Sequence, residues 1–220
     1  MKHLFLILYI AVSVLHLVAS WRDEPDMRKK TKPFLLILLL LYYLFAAKSP
    51  SVLLILALLT SWLGDVLLIP KGHKWFTMGG IAFMFSHLFF VLVYCGQITL
   101  SKLNPVVIAL IAVLYYGFSL LIIRSIRGNT PKSMIAPMCF YLICNSTMNL
   151  FAMMQLLSRP SPGAAAAYVG ALLFYVSDCC LFLVRYGKKP EIIFKKHFTV
   201  MLTYLLGELL IVVGMLMLQR

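Results

Sequence analysis

Charge is scarce in this sequence, and acidic residues are the scarcest. Charged residues make up 12% of the 220 positions, with 7 Asp and Glu against 20 Lys and Arg, whereas 62% are hydrophobic. A soluble domain carries about twice that share of charge. This composition excludes an ordinary soluble domain, and the stretches between the apolar runs are too short for a second domain. The sequence therefore predicts an all-α fold with one membrane domain over residues 1–220.

Long apolar runs recur along nearly the whole chain. A helix needs about 20 mainly apolar residues to cross the hydrocarbon core of a bilayer. Between charged or turn-forming breaks there are eight such runs: 3–20, 33–47, 51–69, 76–95, 104–123, 133–155, 165–184 and 197–218. The second run is the shortest. We expect a polytopic integral membrane bundle of about eight transmembrane helices.

Lys and Arg concentrate in alternate loops between these runs. Most of the 20 fall in the first, third, fifth and seventh loops: Arg22, Arg28, Lys29, Lys30, Lys32, Lys71, Lys74, Arg124, Arg127, Lys132, Arg185, Lys188, Lys189, Lys195 and Lys196. By the positive-inside rule these loops are cytoplasmic, and both termini lie on the non-cytoplasmic side. Topology thus explains the net charge of +13. The expected partner is the lipid bilayer, and no nucleic acid partner is predicted.

An alternative interpretation of the first apolar run is a cleaved signal peptide. Lys2 supplies a positive start, and Val18-Ala19-Ser20 resembles a cleavage site. Cleavage would invert every later loop and leave the basic loops outside, so a retained helix is favoured.

Metal-binding spacings are also missing. The sequence contains no CxxC pair, no HExxH and no paired histidines, and its five cysteines lie within or at the ends of the apolar runs. No metal or cofactor is therefore predicted. A histidine–carboxylate site assembled from distant helices is the less favoured alternative.

Three of the seven acids, Asp65, Asp178 and Glu208, fall within apolar runs. A charged residue near the centre of a spanning helix costs about 2.5–3.5 kcal/mol on insertion scales, so such residues usually face the bundle interior or a water-filled cavity. With His87, which lies near mid-span in the fourth run, they could line one pocket open to the cytoplasm. The alternative for each is a structural hydrogen-bonding role.

Helical spacing places further polar residues beside these acids. Ser61 and Asp65 are four residues apart, as are Tyr204 and Glu208, and Asn145 lies on a polar stripe of the sixth run. Such asparagines commonly form hydrogen bonds between helices. Three glycines are expected at close helix contacts: Gly79, Gly80 and Gly170.

Several short motifs, in order and spacing, resemble those of the YhhN-like lysoplasmalogenases over roughly residues 30–210. They are Lys32-Pro33, Ser61-Trp62-Leu63-Gly64-Asp65, the Gly79/Phe83/His87 spacing, Gly170-Ala171-Leu172-Leu173-Phe174-Tyr175-Val176-Ser177-Asp178, and Thr203-Tyr204. Three positions depart from the family pattern. Met78, Phe90 and Glu208 stand where the family often has His, Tyr and Gln.

The resemblance implies an ether hydrolase that cleaves the vinyl-ether bond of a lysophospholipid, a lysoplasmalogen with an ethanolamine or choline headgroup. The products would be a fatty aldehyde and the glycerophospho-compound. Protonation of the β-carbon makes an oxocarbenium ion that water captures, which requires a proton donor and a negative group. Neighbouring carboxyls in a low-dielectric site supply both roles.

Residue roles follow from that implication. Asp65 and Asp178 would be the carboxyl pair, in either order, with His87 as an orienter or proton relay. Predicted substrate contacts are Lys32 for the phosphate, and Ser61, Asn145, Ser177, Tyr204 and Glu208.

Two other functions stay open on the sequence alone. Intramembrane acids with a histidine also serve as proton relays in transporters, and a non-catalytic protein could keep the pocket to bind lipid. The brevity of the chain favours a bacterial inner membrane over the endoplasmic reticulum.

Overall fold

The computed structural model describes residues 1–219, which form eight α-helices joined by short connections. Their bounds are α1 Lys2–Trp21, α2 Pro25–Ala46, α3 Val52–Leu67, α4 His73–Cys95, α5 Pro105–Ile126, α6 Lys132–Ser158, α7 Pro162–Tyr186 and α8 His197–Leu218. Within this described part of the chain there is no β-strand. The all-α fold of about eight helices is therefore confirmed.

Six of these helices are long and apolar enough to cross a membrane: α1, α4, α5, α6, α7 and α8. The third helix, α3, is apolar but has only 16 residues. The second, α2, has 22 residues, and its first two turns are rich in charge. The part of α2 that is apolar enough for hydrocarbon begins near Pro33.

The start of α2 differs from the sequence-based expectation of residue 33. The helix begins eight residues earlier, at Pro25, with Asp26 in its first turn. Proline has no N–H to leave unpaired at a helix start, and an acid there is favoured by the helix dipole. Pro33 consequently lies inside the helix, and its carbonyl oxygen accepts a 2.8 Å hydrogen bond from Trp62 Nε1 on α3. Lys32 is therefore held on a rigid helix.

Glycines bring α7 and α8 into close contact. A Cβ added at Gly170 would lie 2.6 Å from the carbonyl oxygen of Gly207, and one at Gly207 would lie 2.8 Å from that of Gly170. Hydrophobicity does not drive helix association within lipid, so small residues that allow backbones to approach are important there. The expected contact is confirmed at Gly170 and also at Gly79, whose Cβ would meet Leu68. It is wrong at Gly80, where a Cβ would meet nothing within 4 Å.

The first helix packs onto α2 and α8. The Tyr9 hydroxyl donates to the carbonyl oxygen of Leu205 at 2.8 Å, and His16 Nδ1 lies 2.7 Å from the Thr31 hydroxyl. Because successive helices alternate in direction, the loops α1–α2, α3–α4, α5–α6 and α7–α8 lie at the same end of the bundle. We call this end, which carries most of the Lys and Arg residues, the basic end.

Candidate functional site

A cavity of about 450 Å³ opens at the basic end between α1, α2, α3, α4, α7 and α8. Its size is typical of sites for small organic ligands. Both Asp65 and Asp178 line it, together with Lys32, Ser177 and Tyr204. We call it the polar cavity. Five of the nine site residues expected from the sequence thus border one space.

Asp65 is held by two donors from two other helices. Its side chain is only 2% exposed. Lys32 Nζ on α2 lies 3.2 Å from Oδ1, and the Tyr204 hydroxyl on α8 donates to Oδ2 at 2.9 Å. A buried charge is tolerated when it is paired and its remaining lone pairs accept hydrogen bonds. Both oxygens of Asp65 are occupied in this way.

Asp178 is held differently, with its contacts on one oxygen. Oδ2 accepts hydrogen bonds from the Tyr141 hydroxyl at 2.8 Å and from Asn145 Nδ2 at 2.7 Å, both on α6. His87 Nε2 on α4 lies 3.4 Å from the same oxygen. Among residues 1–219, no side chain donates a hydrogen bond to Oδ1. That oxygen belongs to a residue that borders the polar cavity.

His87 is fully buried behind the cavity wall. Its ring packs against Tyr141 and Phe174, with centroid separations of 5.1 and 4.9 Å. The 3.4 Å approach to Asp178 is close enough for an ion pair, yet neither ring nitrogen has a well-aligned hydrogen bond within the described residues. The histidine therefore borders Asp178 but is not among the residues that line the polar cavity.

Three other expected substrate contacts, Ser61, Asn145 and Glu208, also lie behind the cavity lining. The Ser61 hydroxyl donates to Glu208 Oε1 at 2.7 Å and lies 2.7 Å from the Ser86 hydroxyl. All of these side chains are fully buried. They lie in a deeper polar layer between α3, α4, α6 and α8, and only Asn145 among the three forms a hydrogen bond with an aspartate of the cavity.

The mouth of the polar cavity is rich in cations, of which the sequence analysis named only Lys32 as a site residue. Its lining includes Arg28, Lys29, Lys71 and Arg185, in addition to Lys32. The Arg185 guanidinium lies 3.8 Å from the centre of the Phe76 ring, a cation–π contact that fixes its position. The basic run beginning at Arg28 was the available signal. It could not show that these side chains converge on a cavity.

Tyr141 is another site residue that the sequence analysis did not identify as functional. It lies four residues before Asn145 on α6, and both side chains donate to the same oxygen of Asp178. Their i,i+4 spacing on one helix face was a usable signal, but it did not reveal the acceptor on α7.

The described residues, 1–219, contain no group of three or more His, Cys, Asp or Glu side chains placed to hold a metal ion. The partners of the two aspartates are instead lysine, tyrosine and asparagine donors. Donors of this kind can stabilise a carboxylate or orient a protonated carboxyl group.

Together these features define a polytopic helical membrane protein with a polar, two-carboxylate cavity enclosed between its helices. Residues 27–215 match the YhhN family. The protein belongs to the YhhN family, as the motif resemblance predicted.

Similar proteins occur in enteric bacteria. Over 166 residues the sequence is 32% identical to a protein of Escherichia coli O6:H1, covering 73% of this chain and 74% of the relative. Relatives from Escherichia coli O157:H7 and Shigella flexneri match with the same identity and coverage. All three carry the description "Uncharacterized membrane protein YhhN". No solved structure matches the chain.

Proposed function

We propose that this protein is a lysoplasmalogenase, which hydrolyses the vinyl-ether bond of a lysoplasmalogen to a fatty aldehyde and glycerophosphoethanolamine or glycerophosphocholine. One observation carries the proposal: two buried carboxyls, Asp65 and Asp178, line one cavity whose mouth is basic. A phosphate at the mouth and a reacting bond at the carboxyls match the polarity of that cavity.

The two aspartates divide the chemistry according to their contacts. Asp178 is the proton donor, because its Oδ2 accepts two hydrogen bonds as a carbonyl oxygen would, which leaves Oδ1 to carry a proton into the cavity. Asp65 is the anionic group, because Lys32 and Tyr204 occupy both of its oxygens. An anion beside the reacting carbon stabilises developing positive charge.

The reaction then proceeds in balanced steps. The Asp178 proton is transferred to the β-carbon of the vinyl ether, and the double-bond electrons form the new C–H bond. This leaves an oxocarbenium ion opposite the Asp65 carboxylate. Water adds to the carbon attached to oxygen, its proton returns to Asp178, and the product is a hemiacetal. Collapse of the hemiacetal breaks the C–O bond, with the hydroxyl proton moving to the glycerol oxygen, and releases the aldehyde.

The basic mouth supports binding of the phosphate group. Arg28, Lys32 and Arg185 all line the cavity, and guanidinium and ammonium groups form strong charge-assisted hydrogen bonds to phosphate oxygens. Arg28 is also paired with Asp23 at 3.2 Å. We assign the phosphate to this mouth.

An assay of aldehyde release tests the proposal. Purified protein in detergent is mixed with lysoplasmenylethanolamine or lysoplasmenylcholine, and aldehyde is measured for wild type, Asp65→Asn and Asp178→Asn. Asp26→Asn is the matched control, since Asp26 is an exposed acid on the same side of the bundle. We expect release by wild type and the control, and loss in the two cavity variants.

Other outcomes would contradict hydrolysis. Saturable lysolipid binding without aldehyde would identify a lipid-binding protein. Proton-coupled flux of the lysolipid across the membrane of proteoliposomes, with no release of aldehyde, would identify a transporter. Intramembrane acids are also typical of that class of protein.

We also propose that the protein lies in a bacterial inner membrane with its basic end in the cytoplasm. The bacterial relatives described as membrane proteins support the location, and the excess of Lys and Arg in alternate loops supports the orientation. Reporter fusions after Arg220 test both: an alkaline phosphatase fusion should be active and a cytoplasmic fluorescent fusion dark. The reverse result would invert the orientation.

A further inference from the structure

A second cavity, of about 430 Å³, lies beside the polar cavity between α4 and α6. Its walls are almost entirely apolar, and they include Ile81, Met84, Met134, Met138, Phe140 and Phe182. We call it the apolar groove. The catalytic steps proposed above do not use it.

The apolar groove adjoins the polar cavity, and the two spaces share wall side chains. Leu68, Phe76, Phe83 and Leu181 line both spaces. Tyr141 also lines the groove, and its hydroxyl is the one that donates to Asp178. The partition between the two spaces is therefore made of side chains and not of backbone, so a ligand that extends from the aspartates into the groove has only side chains to displace.

The groove faces outward from the bundle. Ile81 is 45% exposed and Phe140 is 63% exposed, and they stand on the two helices that border it. On a membrane-spanning helix, exposed apolar side chains face the lipid hydrocarbon. Gly80 lines the groove without a side chain, and a Cβ there would meet nothing within 4 Å. The groove is thus open to the side between α4 and α6, where the surface is apolar.

We propose that the apolar groove binds the single hydrocarbon chain of the substrate, which enters sideways from the bilayer between α4 and α6. This inference rests on the proposed function and deepens it. The vinyl-ether bond joins the hydrocarbon chain to the glycerol, so it lies where groove and polar cavity meet, beside Tyr141 and Asp178. The phosphate then reaches the basic mouth. Lipid tails are already in an apolar medium before they enter, so the groove positions the chain and adds little affinity.

A photoreactive lipid tests where the chain lies, independently of turnover. The probe is a single-chain glycerophospholipid with a diazirine in its hydrocarbon chain, added to wild-type protein in nanodiscs and mapped by mass spectrometry. We expect adducts on α4 and α6, at groove residues such as Met84 and Met134. An unmodified lysophospholipid in excess should suppress them.

Three variants make the test specific. Gly80→Phe and Ala136→Phe place a ring in the groove from opposite walls. A ring that fills the groove leaves no space for the hydrocarbon chain without overpacking. We therefore expect labelling of α4 and α6 to fall about tenfold in each variant. Gly117→Phe is the matched control: its Cβ also meets nothing within 4 Å, but it stands on α5 and lines neither cavity. Its labelling should equal that of wild type.

Each result decides the matter. Adducts concentrated on α1 or α5, or labelling unchanged in both groove variants that elute as folded monodisperse protein, would overturn the inference. Wild type that is labelled in the groove but releases no aldehyde would reject the proposed hydrolysis, while the groove would stand as a lipid-chain site. The two failures are therefore distinguishable.

Discussion

The surroundings of Asp65 and Asp178 differ although both aspartates border the same cavity. Asp65 is joined to α2 and α8 by a lysine and a tyrosine, one on each carboxylate oxygen. Asp178 is joined to α6 by a tyrosine and an asparagine that share one oxygen. The comparison shows that sequence position alone does not define a carboxyl's role. Each aspartate has two such donors, but their charge and their distribution over the two oxygens differ, and the proposed roles of anion for Asp65 and proton donor for Asp178 rest on that difference.

The largest effect is expected from Asp178→Asn. The amide can still accept hydrogen bonds from Tyr141 and Asn145 through its oxygen, so the helix packing is retained, but it has no acidic proton to give to carbon. Loss of a general acid typically lowers the rate about 10²–10⁴-fold. Aldehyde release under saturating lysolipid measures the change. If Asp178→Asn stays active while Asp65→Asn is inactive, Asp178 is not the proton donor.

The next largest effect is expected on stability from Lys32→Met. Removing one partner of a buried ion pair leaves the other uncompensated, which costs about 3–5 kcal/mol. The thermal unfolding midpoint in detergent should fall, and the double variant Lys32→Met with Asp65→Asn should recover most of the loss without recovering activity.

Lys29→Met is the control for this prediction. Lys29 stands on the same helix and pairs with Asp26 at 3.1 Å, but both side chains are largely exposed, so the expected change is about 0–1 kcal/mol. No lysine or arginine pairs with Asp178 among the described residues, and so no charge rescue of this kind is expected there. Equal destabilisation by Lys29→Met and Lys32→Met would show that Asp65 does not depend on its lysine.

A smaller loss of rate is expected when either tyrosine of the site is replaced by phenylalanine, and the loss should differ between the two. Tyr204→Phe removes the only side-chain hydrogen bond that residues 1–219 donate to Asp65 Oδ2, and such a bond contributes about 1.5–3 kcal/mol when the acceptor is charged. Tyr141→Phe leaves Asn145 in place on the shared oxygen of Asp178, so its effect on the rate should be smaller. Steady-state kinetics on both variants checks the order. A larger loss for Tyr141→Phe would mean that this hydroxyl takes part in proton transfer itself.

The helical bundle could be predicted from the sequence because the length of an apolar run indicates whether a helix can cross the hydrocarbon core. The start of α2 could not be predicted, since a charged helical turn outside the hydrocarbon has no hydropathy signal, and this hid the rigid placement of Lys32. The four-residue spacing on α8 correctly placed Tyr204 on the same helix face as a buried acid, Glu208. It could not find the acceptor of Tyr204, because Asp65 is 139 residues away along the chain.

Gly80 also shows what the sequence could not predict, because the helix contact expected there is missing. A glycine in a spanning helix suggests a close neighbour, and Gly79 has one, but the adjacent Gly80 faces an open groove. The sequence does not show on which side of a helix a neighbour lies. Only the packed arrangement of α4 against α6 distinguishes a contact from an opening.

The smallest effect is expected from Glu208→Gln, which tests whether the comparison is complete with two carboxyls. Glu208 is fully buried, and its Oε1 accepts from Ser61, a bond that a glutamine oxygen preserves. The residue does not line the polar cavity as Asp65 and Asp178 do. Exchange of such a group changes the free energy by about 0.5–1.5 kcal/mol, so aldehyde release should fall less than about tenfold. Because the same acid-to-amide exchange at Asp178 should be far more harmful, a Glu208→Gln variant as inactive as Asp178→Asn would mean that the proton comes from the deeper layer through Ser61.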